Sequence, residues 1–424
     1  MTLLAKCYWS GPPFLFRKRP PADVEPIALR TADFRTLDGL LWTPAGARVP
    51  RVGLLAMHPR VDFGRHYAFV SLLEAGVMCL GLRSRCVNDD KDCVHEELVY
   101  DVAAGVDALR ARGVDVVVLL GNSGGGSLAA LYQRQALSAP AERSSRTPAG
   151  ARTGFEQAEL TPADAMIYLA PHPGQGRVLG RCIDPAVVDE ADPFANDPAL
   201  DMYLPANGFT PAPRWSCYDD DFVARFREGQ KARVARLDEQ ARSLVEAGRN
   251  AARAIRADDF SARPDDQQRA LARRKAFQPL MVVYRTMANP DYVDRERDPS
   301  PRDYGSLLSD RPDLMNWQLL GFGRVCTPRA WLSTWSALSS RADMIANLAH
   351  VSTPSLMIHA GADREIHPAA RRALDDALVA DDQTTVTFDD ARHYFEPELG
   401  QDRSPERDEL GELLVSWLRE RFEL

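Results

Sequence analysis

The stretch Val116-Val117-Val118-Leu119-Leu120 runs directly into Gly121-Asn122-Ser123-Gly124-Gly125, and this junction constrains the chain more than any other segment. An apolar, β-branched run of this kind reads as a strand buried on both faces, as inside a parallel sheet. G-x-S-x-G placed straight after it is the sequence of a sharp strand-to-helix turn that lifts a serine out of the sheet. Gly121 and Gly125 carry no Cβ, so the strained backbone at Ser123 can pack against its neighbours. Ser123 is therefore the candidate nucleophile. The flanks agree with this reading. Leu98 to Ala111 carries Val99, Val102, Val106 and Leu109 at helical spacing, Arg112-Gly113-Val114-Asp115 is a helix stop and turn, and Gly126 to Tyr132 reads as the helix that follows.

Further strands are expected at Arg51 to His58, Val77 to Leu82, Ala165 to Ala170, Ser355 to Ala360 and Thr384 to Phe388. Helical segments separate them at Tyr67 to Glu74, Arg371 to Leu378 and Leu410 to Phe422, which implies βαβ units and a mainly parallel sheet. Ile27 to Trp42 alternates around Leu37-Asp38-Gly39-Leu40, a hairpin signal. Residues 1–26, rich in Pro, Lys and Arg, read as an arm that wraps a surface or a partner subunit, so a homodimer is one expectation. Ser138 to Ala158 is dense in Ser, Ala, Pro, Arg and Gly and reads as a mobile surface excursion. Between about 175 and 348 the βαβ rhythm stops. Asp221 to Ala257 and Gln267 to Met287 read as long helices there, so the expected division is arm 1–26, core 27–174, helical lobe 175–348 and core 349–424.

A serine needs a base within hydrogen-bond reach and an acid to orient that base. In Ile358-His359-Ala360-Gly361-Ala362-Asp363 a strand opens through a glycine turn onto a carboxylate, which makes Asp363 the acid candidate; Glu365 is the competing acid, and a helix-capping role before Pro368 the competing reading of Asp363. His393, one short loop past the last strand, is the base candidate among the eight histidines. The oxyanion of a tetrahedral intermediate also needs donors, commonly worth about 3 kcal/mol each. The Gly124 N–H, directly after the nucleophile at a helix start, is one. The other is expected from the loop after Met57-His58-Pro59; proline has no N–H, so Arg60 is the first choice and Val61 the second.

On these residues the chain resembles the α/β-hydrolase superfamily: Gly121-Asn122-Ser123-Gly124-Gly125 for the nucleophile turn, Gly361-Ala362-Asp363 for the acid, and Arg392-His393 for the base. The resemblance covers roughly 27–170 and 350–424. It implies an eight-stranded, mostly parallel sheet flanked by helices, with a mainly helical cap inserted after strand six. One departure is that many members have His-Gly where this chain has His58-Pro59. It further implies a serine hydrolase acting on a carboxylic ester of a small, apolar or aromatic substrate, with no cofactor and no metal. Amide, carbamate, thioester or carbon-carbon bond cleavage by the same triad, or a catalytically inactive binding module, are the alternatives. Trp317, Phe322, Trp331 and Trp335 in the cap are candidates to line the substrate pocket, against the plainer reading that they are core. Arg60, Arg83 and Arg85, at the catalytic edge of predicted strands, are candidates to meet a substrate carboxylate.

Composition bounds the rest. The chain has 424 residues, 45% hydrophobic and 26% charged, and a formal net charge of −8. With no basic stripe, a nucleic-acid partner is not expected. No apolar run approaches the ~20 residues that span a bilayer, and the N-terminus lacks a secretory pattern, so a cytoplasmic enzyme without a membrane partner is expected. Seven cysteines without C-x-x-C spacing suit reduced thiols.

Overall fold

The structure is a computed structural model that describes residues 14–16, 18–46, 49–397 and 404–424. Eight strands form one sheet: β1 (Ala22–Arg30), β2 (Thr36–Pro44), β3 (Val52–Ala56), β4 (Met78–Leu82), β5 (Val116–Asn122), β6 (Ala165–Leu169), β7 (Ser355–Ala360) and β8 (Gln383–Phe388). Their spatial order is β1-β2-β4-β3-β5-β6-β7-β8. β2 pairs antiparallel with β1 and β4, and the remaining pairs are parallel.

The period-two geometry of β5 sorts its apolar run onto two cores. Val117 and Leu119 face the core shared with helices α2 (His95–Ala111) and α3 (Gly124–Leu137). Val118 and Leu120 face the opposite core, with α1 (Phe69–Glu74) and the closing helix Pro405–Arg419. Burial on both faces is why the central strands carry no polar alternation. Between β6 and β7 lies a largely helical insertion with α4 (Gln175–Cys182), α5 (Asp220–Arg256) and α6 (Asp265–Ala276). This is the α/β-hydrolase fold with a helical cap after strand six. The Asp219 side chain caps α5 by accepting from the Phe222 N–H at 2.6 Å, and Arg253 and Arg256 close its last turn, where the helix dipole favours cations.

Four expectations need correction. The hairpin turn lies at Thr31 to Arg35, held by the Arg35 N–H donating to Thr31 Oγ1 at 2.9 Å, and Gly39 is inside β2. A Cβ at Gly39 would stand 2.8 Å from the Gly81 carbonyl oxygen, so this glycine serves close approach of two strands. β1 opens at Ala22, inside the expected arm; Pro26 is tolerated because β1 is an edge strand. Residues 1–13 and 17 of that arm lie outside the described residues, while Phe14 packs on Phe63 and Tyr394. The helix expected over Gln267 to Met287 ends at Ala276, before Pro279, and Met281–Val282 pairs with Val325–Cys326 instead. Finally, the 138–158 segment is a compact loop. Arg143 donates to the Ser138, Phe155 and Ala158 carbonyls, Tyr100 donates to the Thr153 carbonyl, and Phe155 is buried in the core. One guanidinium with several carbonyl partners supplies the order that composition argued against.

Candidate active site

β5 delivers Ser123 at its C-terminal end. The Ser123 backbone has φ 53° and ψ −124°, a conformation an L-residue adopts only when its surroundings impose it. Those surroundings are tight: a Cβ at Gly121 would lie 2.6 Å from Gly126 Cα, and one at Gly125 would lie 2.5 Å from the Met57 carbonyl oxygen. The Ser123 N–H donates to the Leu169 carbonyl at 3.1 Å, and Asn122 Nδ2 donates to the same oxygen at 2.6 Å. β6 therefore braces the turn from the side.

The loops after β7 and β8 bring two more groups to this point. His393 Nε2 is 2.8 Å from Ser123 Oγ, and His393 Nδ1 is 2.6 Å from Asp363 Oδ2. The other carboxylate oxygen, Asp363 Oδ1, accepts from the Glu365 and Ile366 N–H groups at 2.7 and 3.1 Å. Asp363 thus orients the ring and caps the following turn with different oxygens. Burial works to lower the His393 pKa, but the Asp363 charge and its hydrogen bond outweigh it and hold the imidazole above its ordinary value of 6.5. Burial likewise works to raise Asp363, and the charge of His393 with three hydrogen bonds keeps it below the usual 3.8.

Glu365, the competing acid, points elsewhere. Tyr292 of the cap donates to Glu365 Oε1 at 2.7 Å, and the Tyr292 hydroxyl lies 3.0 Å from Cys182 Sγ. Burial, with the Asp363 charge adding to it, pushes the Glu365 carboxyl up to about 7.

The Gly124 N–H stands in the first turn of α3, where helix geometry supplies no intrahelical acceptor. The Arg60 and Val61 N–H groups are engaged: both donate to His58 Nδ1, at 3.0 and 3.1 Å. The structure therefore turns the two loop amides toward a ring of their own loop. The arginines at the catalytic edge are also occupied. Arg83 pairs with Asp38 and Asp62, Arg85 with Asp33 and Asp101, and Arg60 pairs with Asp90 while stacking over Trp335 at 4.9 Å. A substrate carboxylate would have to displace an internal one, which corrects the expectation for all three.

Of the four cap aromatics, Trp331 and Trp335 are fully buried in the cap core with Val234, Leu237 and Leu179, and Phe322 packs at its margin. Trp331 Nε1 donates to Asp238 at 2.8 Å. Trp317 is 45% exposed and stacks on Phe194 beneath Arg285. The structure does not gather the four into one cavity. One contact of the cap with the core is a π turn at Trp331–Trp335 that meets the N-terminus of α2. Ser333 accepts from the His95 N–H at 2.9 Å and donates to Glu96 at 2.6 Å, and Thr334 Oγ1 lies 2.8 Å from His95 Nδ1. Turns of this kind often mark functional segments.

Sequence reasoning missed two histidines, His58 and His172. Both follow strands, β3 and β6, at the same edge as Ser123, and that position is the signal that could have found them. Burial first, then the charge of Arg60 and the neighbouring imidazoles, hold His58 well below 6.5; burial and the neighbouring His393 hold His172 at about 3. Among the described residues no group of His, Cys, Asp and Glu could hold a metal ion, no helix is long and apolar enough to cross a membrane, and six cysteines are free.

No family model matches the chain, and no curated protein matches it. Solved structures with a similar course include a hypothetical protein of Pseudomonas aeruginosa, with 14% identity, 99% of this chain and 100% of that one covered, and a TM-score of 0.49. The esterase domain of a Rhodothermus marinus protein has 12% identity, 94% and 99% coverage and a TM-score of 0.41. One of two fungal esterases from Rhizomucor miehei has 12% identity, 95% and 85% coverage and a TM-score of 0.43. Likenesses this distant leave the activities in those names with those proteins; the strand order of this chain and the turn at Ser123 are what make it an α/β-hydrolase fold with a helical cap.

Proposed function

We propose that the protein is a serine hydrolase that cleaves a carboxylic ester through an acyl-enzyme on Ser123. The observation that carries this reading is the buried hydrogen-bonded line from Ser123 Oγ through His393 to Asp363, at 2.8 and 2.6 Å. Ser123 Oγ attacks the carbonyl carbon as His393 Nε2 takes its proton. Asp363 keeps the ring in the tautomer that presents a lone pair to Ser123, and stabilises the imidazolium that forms. His393 then returns the proton to the leaving alcohol, and water repeats the sequence on the acyl-enzyme. The Gly124 N–H faces the developing oxyanion, with the positive end of the α3 dipole behind it.

The triad needs neither cofactor nor metal for these steps. Residues 175–348 act in this reading as the cap that bounds a pocket for a small, apolar or aromatic substrate. Ser123→Ala should abolish turnover of short p-nitrophenyl esters and covalent labelling by a fluorophosphonate; survival of either would remove Ser123 from the role. A matched ester, amide, thioester and diketone panel then separates ester cleavage from the other bonds this triad can break.

A further inference from the structure

His58 and His172 stand on either side of Gly124, and their tautomers are set by the backbone. Arg60 and Val61 donate to His58 Nδ1, and the Gly174 N–H donates to His172 Nδ1 at 3.0 Å. A neutral ring nitrogen that accepts has no proton, so in each ring the proton is on Nε2. These two Nε2 atoms converge. Each would lie 2.8 Å from a Cβ placed on Gly124, and Gln175 Nε2 would lie 2.6 Å from it. No side chain fits at Gly124, and its bare Cα lets the His58 and His172 Nε2–H groups close in on the turn that carries the Gly124 N–H. Ser127 Oγ donates to the Gly124 carbonyl at 3.1 Å and lies 3.2 Å from Gln175 Oε1, and the Gln175 amide also faces the His95 ring. The rings are 3% and 8% exposed, and neither Nε2 has a protein partner among the described residues. Donors without a protein partner beside the nucleophile are free to meet a substrate oxygen.

We propose that His58 and His172 are side-chain donors of the oxyanion hole, their Nε2–H groups joining the Gly124 N–H around the oxygen of the tetrahedral intermediate. This rests on the acyl-enzyme reading above. When Ser123 Oγ bonds to the carbonyl carbon, its proton goes to His393 and the carbonyl π pair moves onto oxygen. That oxygen accepts from Gly124, His58 and His172. On collapse the pair returns, the bond to the leaving alcohol breaks, and His393 protonates the alcohol. His58 and His172 keep their protons throughout. The loop amides that would ordinarily serve the oxyanion act one ring further away, by holding His58 in its donor tautomer. Burial keeps both rings neutral, so they donate without adding a titration of their own.

The test uses His58→Ala and His172→Ala, with kcat and KM for a p-nitrophenyl ester and the inhibition constant of a trifluoromethyl ketone, which forms an anionic adduct on the serine. Each variant should lose about 10²–10³-fold in kcat with KM little changed, as expected for an oxyanion donor. The ketone should weaken by the same factor, which a merely structural loss would not produce. Wild-type kcat and ketone affinity in both folded variants would overturn the proposal. Should either variant fail to fold, imidazole 1H–15N spectra of the wild-type ketone adduct decide: the Nε2–H resonances of His58 and His172 should move downfield, and unmoved resonances overturn it. Ser123→Ala keeps the two readings apart. Full turnover in that variant removes the acyl-enzyme mechanism itself, whereas an inactive Ser123→Ala beside unaffected histidine variants removes only this inference.

Discussion

Glu365 lies two residues from Asp363, and its carboxylate would act on the same imidazole from a second direction. Its negative charge raises the His393 pKa, as that of Asp363 does. A general base must be neutral to accept a proton, so kcat/KM should fall as pH drops through the His393 pKa, which is above 6.5. Glu365, itself raised to about 7, carries that charge only in the upper part of the limb, so Glu365→Gln should move that part to lower pH. A pH profile of kcat/KM checks this: an unmoved limb would show that Glu365 is electrostatically silent, and an upward shift would reverse its predicted effect. At this scale the sequence was legible where chemistry follows chain order. Ser123, Asp363 and His393 stand out because each follows a strand at one edge of the sheet. His58 and His172 follow strands there too, but their significance depends on which ring nitrogen the backbone occupies and on the bare Cα of Gly124, and both are facts of three dimensions.

At the scale of elements, the central strands were legible because burial on both faces leaves an unbroken apolar run. The 138–158 loop was not, because its order comes from one guanidinium, Arg143, gathering carbonyls of its own segment and from Tyr100 on α2, neither of which shows in composition. Phe155 inserts between Tyr100 and the α3 side of the core, with its ring 5.5 Å from Tyr100. Phe155→Ala should cost about 3–5 kcal/mol in a denaturant titration, as for a large buried ring. A loss under about 0.5 kcal/mol, the usual range for a surface substitution, would mean that the loop is a solvated excursion after all. The shortened helix before Pro279 and the displaced hairpin turn share one cause: Pro279 and Gly39 act through backbone geometry, and apolar spacing alone does not register it.

For the whole molecule, the consequence of so many buried imidazoles is acid sensitivity. Burial lowers His58 well below 6.5 and His66, His95 and His172 to about 3. Below pH 6.5 the unfolded chain takes up protons at these four positions while the native state does not. Stability should then fall with pH, by about 1.4 kcal/mol per unit for each such group. His393 has the opposite sign: its pKa is raised, so it favours the native state at low pH and that contribution fades as pH rises through its native value. The buried carboxyls of Glu365, raised to about 7, and Asp101, raised to about 6, act in the same sense as His393, and the four imidazoles outnumber these three groups. Urea midpoints should therefore decline between pH 6.5 and 4, and a flat profile over that span would mean that these rings titrate normally.

The cap is threaded between β6 and β7, so the serine and the histidine that serves it lie 270 residues apart in the chain. During synthesis at about 5–20 residues per second, Ser123 emerges on the order of 15–55 s before His393. The β5 turn can fold in that interval, yet its hydroxyl stays an ordinary alcohol until the last loop arrives. Under the proposed acyl-enzyme mechanism, a nascent chain that has not yet exposed His393 carries Ser123 without its base.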